Sequence, residues 1–205
     1  VAYDTLLFTQ RQQLHRAVAE ALVQYQPDAT VQIAYHAYAG EVWPLSLQYN
    51  LLAGGQARQL HATQQGIDFF QKALSSADHL PEADTAKERT QIHLALGELY
   101  VSTGQYEEAG ASLQTAVALA QAQGDHDADA QSCRWYGRAY EQQGEYVQAL
   151  TWLENGFTAL NGSTSLEEAE LSLLAGLINV RQGNFAKALE LCERSLQVGL
   201  ALNDI

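Results

Sequence analysis

The apolar residues of this chain recur every three or four positions, which is the spacing of one helix face. Near the start, Leu14, Val18 and Leu22 share such a face, and Gln and Arg residues occupy the opposite one. This pattern predicts an amphipathic helix from Thr9 to Tyr25 with Thr9 as its N-cap. No stretch alternates between apolar and polar residues as a half-buried strand would. The chain is therefore predicted to be all-α.

Three segments of the C-terminal half repeat one order of residues: a small pair, an aromatic residue or Asn, Gly, an aromatic residue and Ala. The copies are Leu96-Gly97, Tyr100, Gly104, Tyr106 and Ala109, then Tyr136-Gly137, Tyr140, Gly144, Tyr146 and Ala149, then Ala175-Gly176, Asn179, Gly183, Phe185 and Ala188. A repeat at a fixed period is typical of stacked helical units that bury their apolar faces against each other.

The small residues of the repeat have two mechanical roles. A chain reversal in the left-handed backbone conformation is predicted at Gly104, Gly144 and Gly183, because glycine adopts it without a Cβ clash. Close approach of two helices is predicted where the other small residues recur, at Gly97, Gly137 and Gly176 and at Ala109, Ala149 and Ala188. Each copy is therefore predicted to be a pair of helices joined by a tight turn.

The pattern resembles the tetratricopeptide repeat (TPR), a helix–turn–helix unit of about 34 residues. The resemblance places units at Thr90, Ala130 and Ala169, which are 40 and 39 residues apart. It implies an α-solenoid in which antiparallel helix pairs stack into a TPR-like superhelix. The surplus residues lie in 122–129 and 161–168, so longer connections or helix ends are expected there.

Weaker copies precede the three clear ones. A unit starting near Leu47 has Gly66 and Phe70 at the same phases, although Thr63 replaces the aromatic residue. Before it, a helix closed by Gly40 suggests a degenerate unit. The predicted organisation is a linker helix region at 1–28, a degenerate helical unit at 29–46, and a TPR array at 47–205 with units starting near 47, 90, 130 and 169.

The segment from Val1 to Leu22 resembles the junction between an AAA/STAND-type signalling ATPase and its TPR arm. Such ATPases occur in bacterial multidomain regulators, some with a nucleotide cyclase domain and others with a DNA-binding domain. The resemblance implies a nucleotide site upstream of this chain. The chain contains no Met and starts with Val1, which indicates a fragment.

Charge and composition limit the partners. The chain has 11 Lys and Arg against 24 Asp and Glu, a net charge of −13, which repels phosphate backbones and anionic lipids. Uncharged stretches such as 171–180 are too short to span a membrane. Direct nucleic-acid and membrane binding are therefore not expected. Cys133 and Cys192 lie at predicted core positions, and buried free thiols are typical of a cytoplasmic protein.

Motifs for catalysis or cofactor binding do not stand out. The sequence has no phosphate-binding glycine loop, nucleophile elbow or zinc-binding helix motif. The run 125–129 imitates the start of a calcium loop, but Ala130 and Tyr136 replace the required Gly and Glu. A solvated loop that caps the next helix is the better interpretation. We expect no catalytic residue, cofactor or metal, and hence no enzyme.

The TPR resemblance implies a concave groove lined by the first helix of each unit. The predicted partner-binding residues are Glu98, Arg134, Arg138, Glu141, Leu173, Leu177, Val180 and Arg181. Arg134 and Arg138 are one turn apart, so they form either a cradle for an acidic peptide group or a ladder with Glu98 and Glu141. The helix at 171–180 is apolar nearly all round, which predicts either that later repeats wrap around it or that the groove there holds an apolar partner segment.

Two functions fit these observations. The first is a non-catalytic interaction or sensor arm of a larger bacterial signalling ATPase that binds a peptide or protein partner in the groove. The alternative is a free-standing peptide-binding adaptor, such as a co-chaperone-like scaffold. The end of the chain, 196–205, parallels 117–126, which precedes a new unit. The array is therefore expected to stop before a further repeat and to self-associate through the uncovered face.

Overall fold

The computed structural model describes residues 7–202 and forms α-helices throughout that range, without a strand. The helices are α1 (Phe8–Tyr25), α2 (Thr30–Ala39), α3 (Trp43–Gln59), α4 (Thr63–Ala77), α5 (Glu82–Ser102), α6 (Tyr106–Gln123), α7 (His126–Gln142), α8 (Tyr146–Leu160), α9 (Leu166–Arg181) and α10 (Phe185–Ala201). The expectation of an all-α fold is confirmed.

The chain forms two compact units, Val1–Ile92 and His93–Ile205, and α5 contributes residues to both. In the first unit, each of α1, α2 and α3 packs on the helix that follows it. The α3–α4 contact has a polar centre, where the buried hydroxyls of Ser46 and Ser76 are 2.8 Å apart. Asn50 donates its amide hydrogen to the Ser46 carbonyl oxygen at 2.9 Å. These bonds satisfy polar groups that burial would otherwise penalise.

The second unit stacks its helix pairs one on the next. α6 packs on α7, α7 on both α8 and α9, and α9 on both α8 and α10. One apolar cluster joins α7, α8, α9 and α10, and its members are Ala130, Ala149, Leu153, Leu160, Leu171, Leu174, Ala175, Ile178 and Leu191. The predicted stacking of adjacent helix pairs is confirmed within this unit.

The glycines act as the sequence predicts. Gly104, Gly144 and Gly183 have φ values of +73°, +79° and +78°, and each lies in the turn within a helix pair. A Cβ atom at Gly97 would lie 2.4 Å from Leu113 Cδ2, much closer than two carbon atoms can approach. The helices of a pair therefore touch at positions where only a hydrogen atom fits.

The helix boundaries bear on several local expectations. α1 begins at Phe8 with Leu7 as its N-cap, so Thr9 lies inside the helix and does not cap it. Only Gly124 and Asp125 separate α6 from α7. The surplus residues at 122–129 therefore lengthen the ends of these two helices and not the connection between them. Asp125 Oδ1 accepts a hydrogen bond from the Ala128 N–H at 3.0 Å, which confirms a cap at this position. The expected solvated loop is wrong for 126–129, because these residues form the first turn of α7 and Asp129 is buried. The division into units near 47, 90, 130 and 169 stays a prediction.

The two cysteines differ, contrary to expectation. Cys133 is buried, and burial together with the neighbouring Asp129 carboxylate raises the pKa of its thiol to about 12. Cys192 is exposed on α10, so the prediction of two buried thiols is wrong for Cys192. Its Sγ nevertheless lies beside α9, because a Cβ atom added at Gly176 would be only 3.1 Å from it.

Candidate functional site

A cavity of about 330 Å³ lies between α7 and α9 in the second unit. We call it the α7/α9 groove, and its lining residues are Arg134, Trp135, Arg138, Glu170, Leu173, Leu174 and Leu177. The structure thus brings together four of the residues predicted for the partner-binding surface. They meet because α7 and α9 are the first helices of consecutive pairs and pack side by side.

The apolar wall of the α7/α9 groove belongs to α9. Leu171 and Ile178 are completely buried, whereas Leu173 is 52% exposed, Leu177 36% and Val180 46%. The exposed residues follow each other at spacings of four and three, which places them on one helix face. Within residues 7–202, α9 is therefore not buried on every side, and its burial by later repeats stays a prediction. Its second face is an apolar stripe open to solvent.

Arg134 is held by a carboxylate that sequence reasoning did not pair with it. Its guanidinium donates two hydrogen bonds to Glu167, from Nε and from Nη2. Both side chains are largely buried, at 15% and 12% exposed, and the guanidinium lies 5.2 Å from the Trp135 ring centre. Burial raises the pKa of Glu167, and the bonds from Arg134 oppose that rise. This pair fixes one end of α9 against α7.

A second ion cluster joins the other end of the two helices. Glu141 on α7 is only 2% exposed, and it pairs with Arg138 at 3.2 Å and with Arg181 on α9. The pairing of Arg138 with Glu141 is the ladder alternative that the sequence left open. Because Arg138 also lines the α7/α9 groove, its position there is set by Glu141.

Glu98, the last of the predicted residues, lies outside the groove, whereas Trp135, which was not predicted, lines it. Glu98 lies on α5, is half-buried, and is not part of the groove lining. Trp135, which sequence reasoning missed, lines the groove and has a buried indole N–H without a hydrogen-bond partner among residues 7–202. Its position in the sequence between Arg134 and Arg138, two residues predicted to line the groove, is the signal that could have identified it. Trp135 thus lines the groove, while its indole N–H is closed off from solvent.

The described residues lack the features of two other kinds of site. Within residues 7–202, no three His, Cys, Asp or Glu side chains come together as a metal site would require. None of the helices described combines the length and the apolarity needed to cross a lipid bilayer.

Part of the chain is similar to a known protein family. Residues 88–162 match the family described as tetratricopeptide repeat. No curated protein matches the chain. The matched segment includes α6, α7 and α8, so it contains the α7 side of the α7/α9 groove. The TPR resemblance is thereby confirmed for these residues, and the resemblance to an ATPase junction is not.

Solved structures share the fold. Aspartyl phosphate phosphatase F from Bacillus subtilis is 15% identical with a TM-score of 0.71, over 95% of this chain and 53% of its own. BtubC from P. vanneervenii is 12% identical with a TM-score of 0.67, over 98% and 94%. The MamA RS-1 ArsTM double mutant is 15% identical with a TM-score of 0.59, over 95% and 98%. The chain spans about half the length of the phosphatase.

At such identities the likeness concerns the fold alone. It agrees with the ten helices of the described range and with their stacking in pairs. A TPR-like helical scaffold is a fold that serves protein–protein interaction rather than chemistry. Its specific use depends on the surface that the side chains form.

Proposed function

We propose that this chain is a non-catalytic protein–protein interaction arm that binds a peptide or protein partner in the α7/α9 groove. The observation that carries the proposal is the stripe of exposed Leu173, Leu177 and Val180 beside that groove. Exposed aliphatic side chains lose contact with water when a partner covers them, and each contributes to affinity. The proposed mechanism is occupancy of the groove, which biases neighbouring domains without making or breaking a bond.

The proposed ligand is an apolar peptide side chain. Leu173 and Leu177 offer it the exposed apolar wall of the groove. Arg134 and Arg138 are already paired with Glu167 and Glu141. We therefore assign them to the shape of the groove, and not to capture of an acidic group.

The double variant Leu173→Asp and Leu177→Asp is expected to abolish binding of apolar peptides, because it places two charges on the groove wall. The measurement is fluorescence anisotropy with a labelled library of leucine- and phenylalanine-containing peptides. Val147→Asp is the matched control, since Val147 is an exposed residue of α8 outside the groove lining. Equal loss in the control, or unchanged binding in the double variant, would contradict the proposal.

We further propose that the arm belongs to a larger bacterial signalling ATPase in the cytoplasm. The support is the resemblance of its first 22 residues to the junction of such ATPases with a TPR arm. Reading the parent gene upstream of Val1 tests this, because a phosphate-binding glycine loop is expected there. An open reading frame that starts at Val1 without an upstream domain would favour a free-standing adaptor.

We also propose that the outer face of α10 mediates self-association. This α10 face consists of the exposed residues Phe185, Leu189, Leu196 and Leu200. A shift of 39 residues relates Phe185, Leu189 and Leu196 to Tyr146, Leu150 and Phe157 of α8, which pack against the apolar cluster shared with α9. In the preceding helix pair, the equivalent face of α8 packs against α9. The repeat therefore predicts that another helix covers the α10 face. An antiparallel second copy would set Phe185 opposite Leu200 and Leu189 opposite Leu196.

The double variant Leu189→Asp and Leu196→Asp is expected to be monomeric where the unaltered chain dimerises, because an antiparallel contact would bury four added charges. Light scattering over a range of protein concentrations measures the mass directly. Val147→Asp should leave the dimer intact. A strictly monomeric unaltered chain at high concentration would refute self-association.

A further inference from the structure

A second cavity, of about 670 Å³, lies in the first unit between α3 and the first half of α5. We call it the α3/α5 pocket. Its wall is apolar on the α3 side and carries two carboxylates on the α5 side, and its principal lining residues are Leu47, Leu51, Leu52, Leu80, Asp84 and Glu88. The volume lies within the range of about 300–1,000 Å³ that is usual for ligand pockets.

The two carboxylates of the α3/α5 pocket lack a cation. Asp84 and Glu88 are one helical turn apart, and neither has an ion pair within the described residues. The neighbouring Arg89 pairs with neither carboxylate. It donates a hydrogen bond to Thr85 Oγ1 at 3.2 Å and forms an ion pair with Asp78 at 2.9 Å. Like charges at this spacing destabilise a helix. A cationic ligand would remove that repulsion.

Helix stability accounts for one of the two carboxylates but not for the other. Asp84 lies in the first turn of α5, where the positive end of the helix dipole favours an acidic residue. Glu88 lies beyond that turn and is half-buried beside the apolar wall of the pocket. A carboxylate in such surroundings is best compensated by a positive charge close to it.

We infer that the α3/α5 pocket binds a peptide segment in which a Lys or Arg lies next to a large apolar side chain. The apolar side chain packs against Leu47 and Leu51, and the cation pairs with Asp84 and Glu88. The pocket is an open groove whose exposed Gln48 and Gln91 side chains offer amide groups to a peptide backbone. The chain's net charge of −13 attracts such a segment from a distance.

The test is fluorescence anisotropy with two labelled peptide libraries, titrated onto the whole chain. One library combines Leu and Phe with Lys and Arg, and its twin replaces the basic residues by Gln. The basic library is expected to bind more tightly, and Asp84→Asn with Glu88→Gln should weaken that binding by about tenfold or more. The matched control is Glu107→Gln with Glu108→Gln, an exposed acidic pair of α6 that also removes two negative charges.

The control separates a built site from general attraction by an acidic protein. Equal weakening by both double variants would overturn the inference, as would equal binding of the basic and the Gln libraries. The variant with Leu173→Asp and Leu177→Asp should still bind the basic library more tightly than the Gln library, because those leucines line the α7/α9 groove and not the α3/α5 pocket. The site in the first unit and the proposed function of the second can therefore fail separately.

Discussion

Replacing Arg138 and Arg181 together by alanine is expected to lower the free energy of unfolding by about 3 kcal/mol. This value is the lower end of the range measured when one partner of a buried ion pair is removed. The cause is Glu141, which is 2% exposed and would keep its charge without a partner. The lower end applies because the guanidinium groups, unlike the carboxylate, are partly accessible to water. Urea denaturation followed by circular dichroism measures the change.

Two further variants decide whether Glu141 is the cause. Adding Glu141→Leu to the double alanine variant should restore most of the lost stability, because no buried charge then remains. Lys187→Ala removes a cation from an exposed pair with Glu190 and should change the stability by less than about 1 kcal/mol. If the double alanine variant unfolds at the same urea concentration as the unaltered chain, Glu141 does not depend on these arginines.

The fold was predictable from the sequence because its signals are local. Gly104, Gly144 and Gly183 mark turns through their own backbone conformation, which does not depend on distant residues. Gly97 marks a close contact because it occupies a helix interior, where glycine has a cost that only packing offsets. Such markers recur at a fixed period, so one recognised pair predicts the next.

The α7/α9 groove was predictable only in part. Repeat register correctly assigned Arg134, Arg138, Leu173 and Leu177 to one surface. It did not predict that Arg134 pairs with Glu167, because that contact depends on how α9 is set against α7 across 33 residues of sequence. Periodicity predicts which face of a helix is buried, and it leaves open which neighbour meets each side chain.

The α3/α5 pocket was missed for a related reason. It depends on Pro81 and Leu80, which end the connection before α5 and help to close one side of the cavity. In the structure α4 ends at Ala77, and Pro81 immediately precedes α5. Connections without a repeat signal are the part of this chain that its periodicity does not describe.

The ion pairs and the leucines of the second unit have complementary roles. Glu141 and Glu167 hold the arginines of the α7/α9 groove in place and join α7 to α9 at two points. The charges of the groove are thereby satisfied within the protein, while Leu173 and Leu177 stay exposed. A groove of this kind offers a partner apolar contact in a preformed geometry, which lowers the entropy lost on binding.

Ala149→Leu is expected to lower the free energy of unfolding by about 1–3 kcal/mol, because it overpacks the contact between α7 and α8. Ala149 is completely buried, and a Cβ atom built on Gly137 would lie only 3.3 Å from its carbonyl oxygen. The two backbones are therefore nearly in contact, and a leucine side chain has no room without separating them. Thermal and urea denaturation of the variant measure the loss.

The same substitution on an exposed helix face provides the control. Ala118→Leu lies on the exposed side of α6 and should change the stability by less than about 0.5 kcal/mol, since it displaces no neighbour. A loss confined to Ala149→Leu locates the cost in the helix–helix contact and not in leucine itself. Unchanged stability of the Ala149 variant would show that α7 and α8 do not approach each other as closely as the repeat requires.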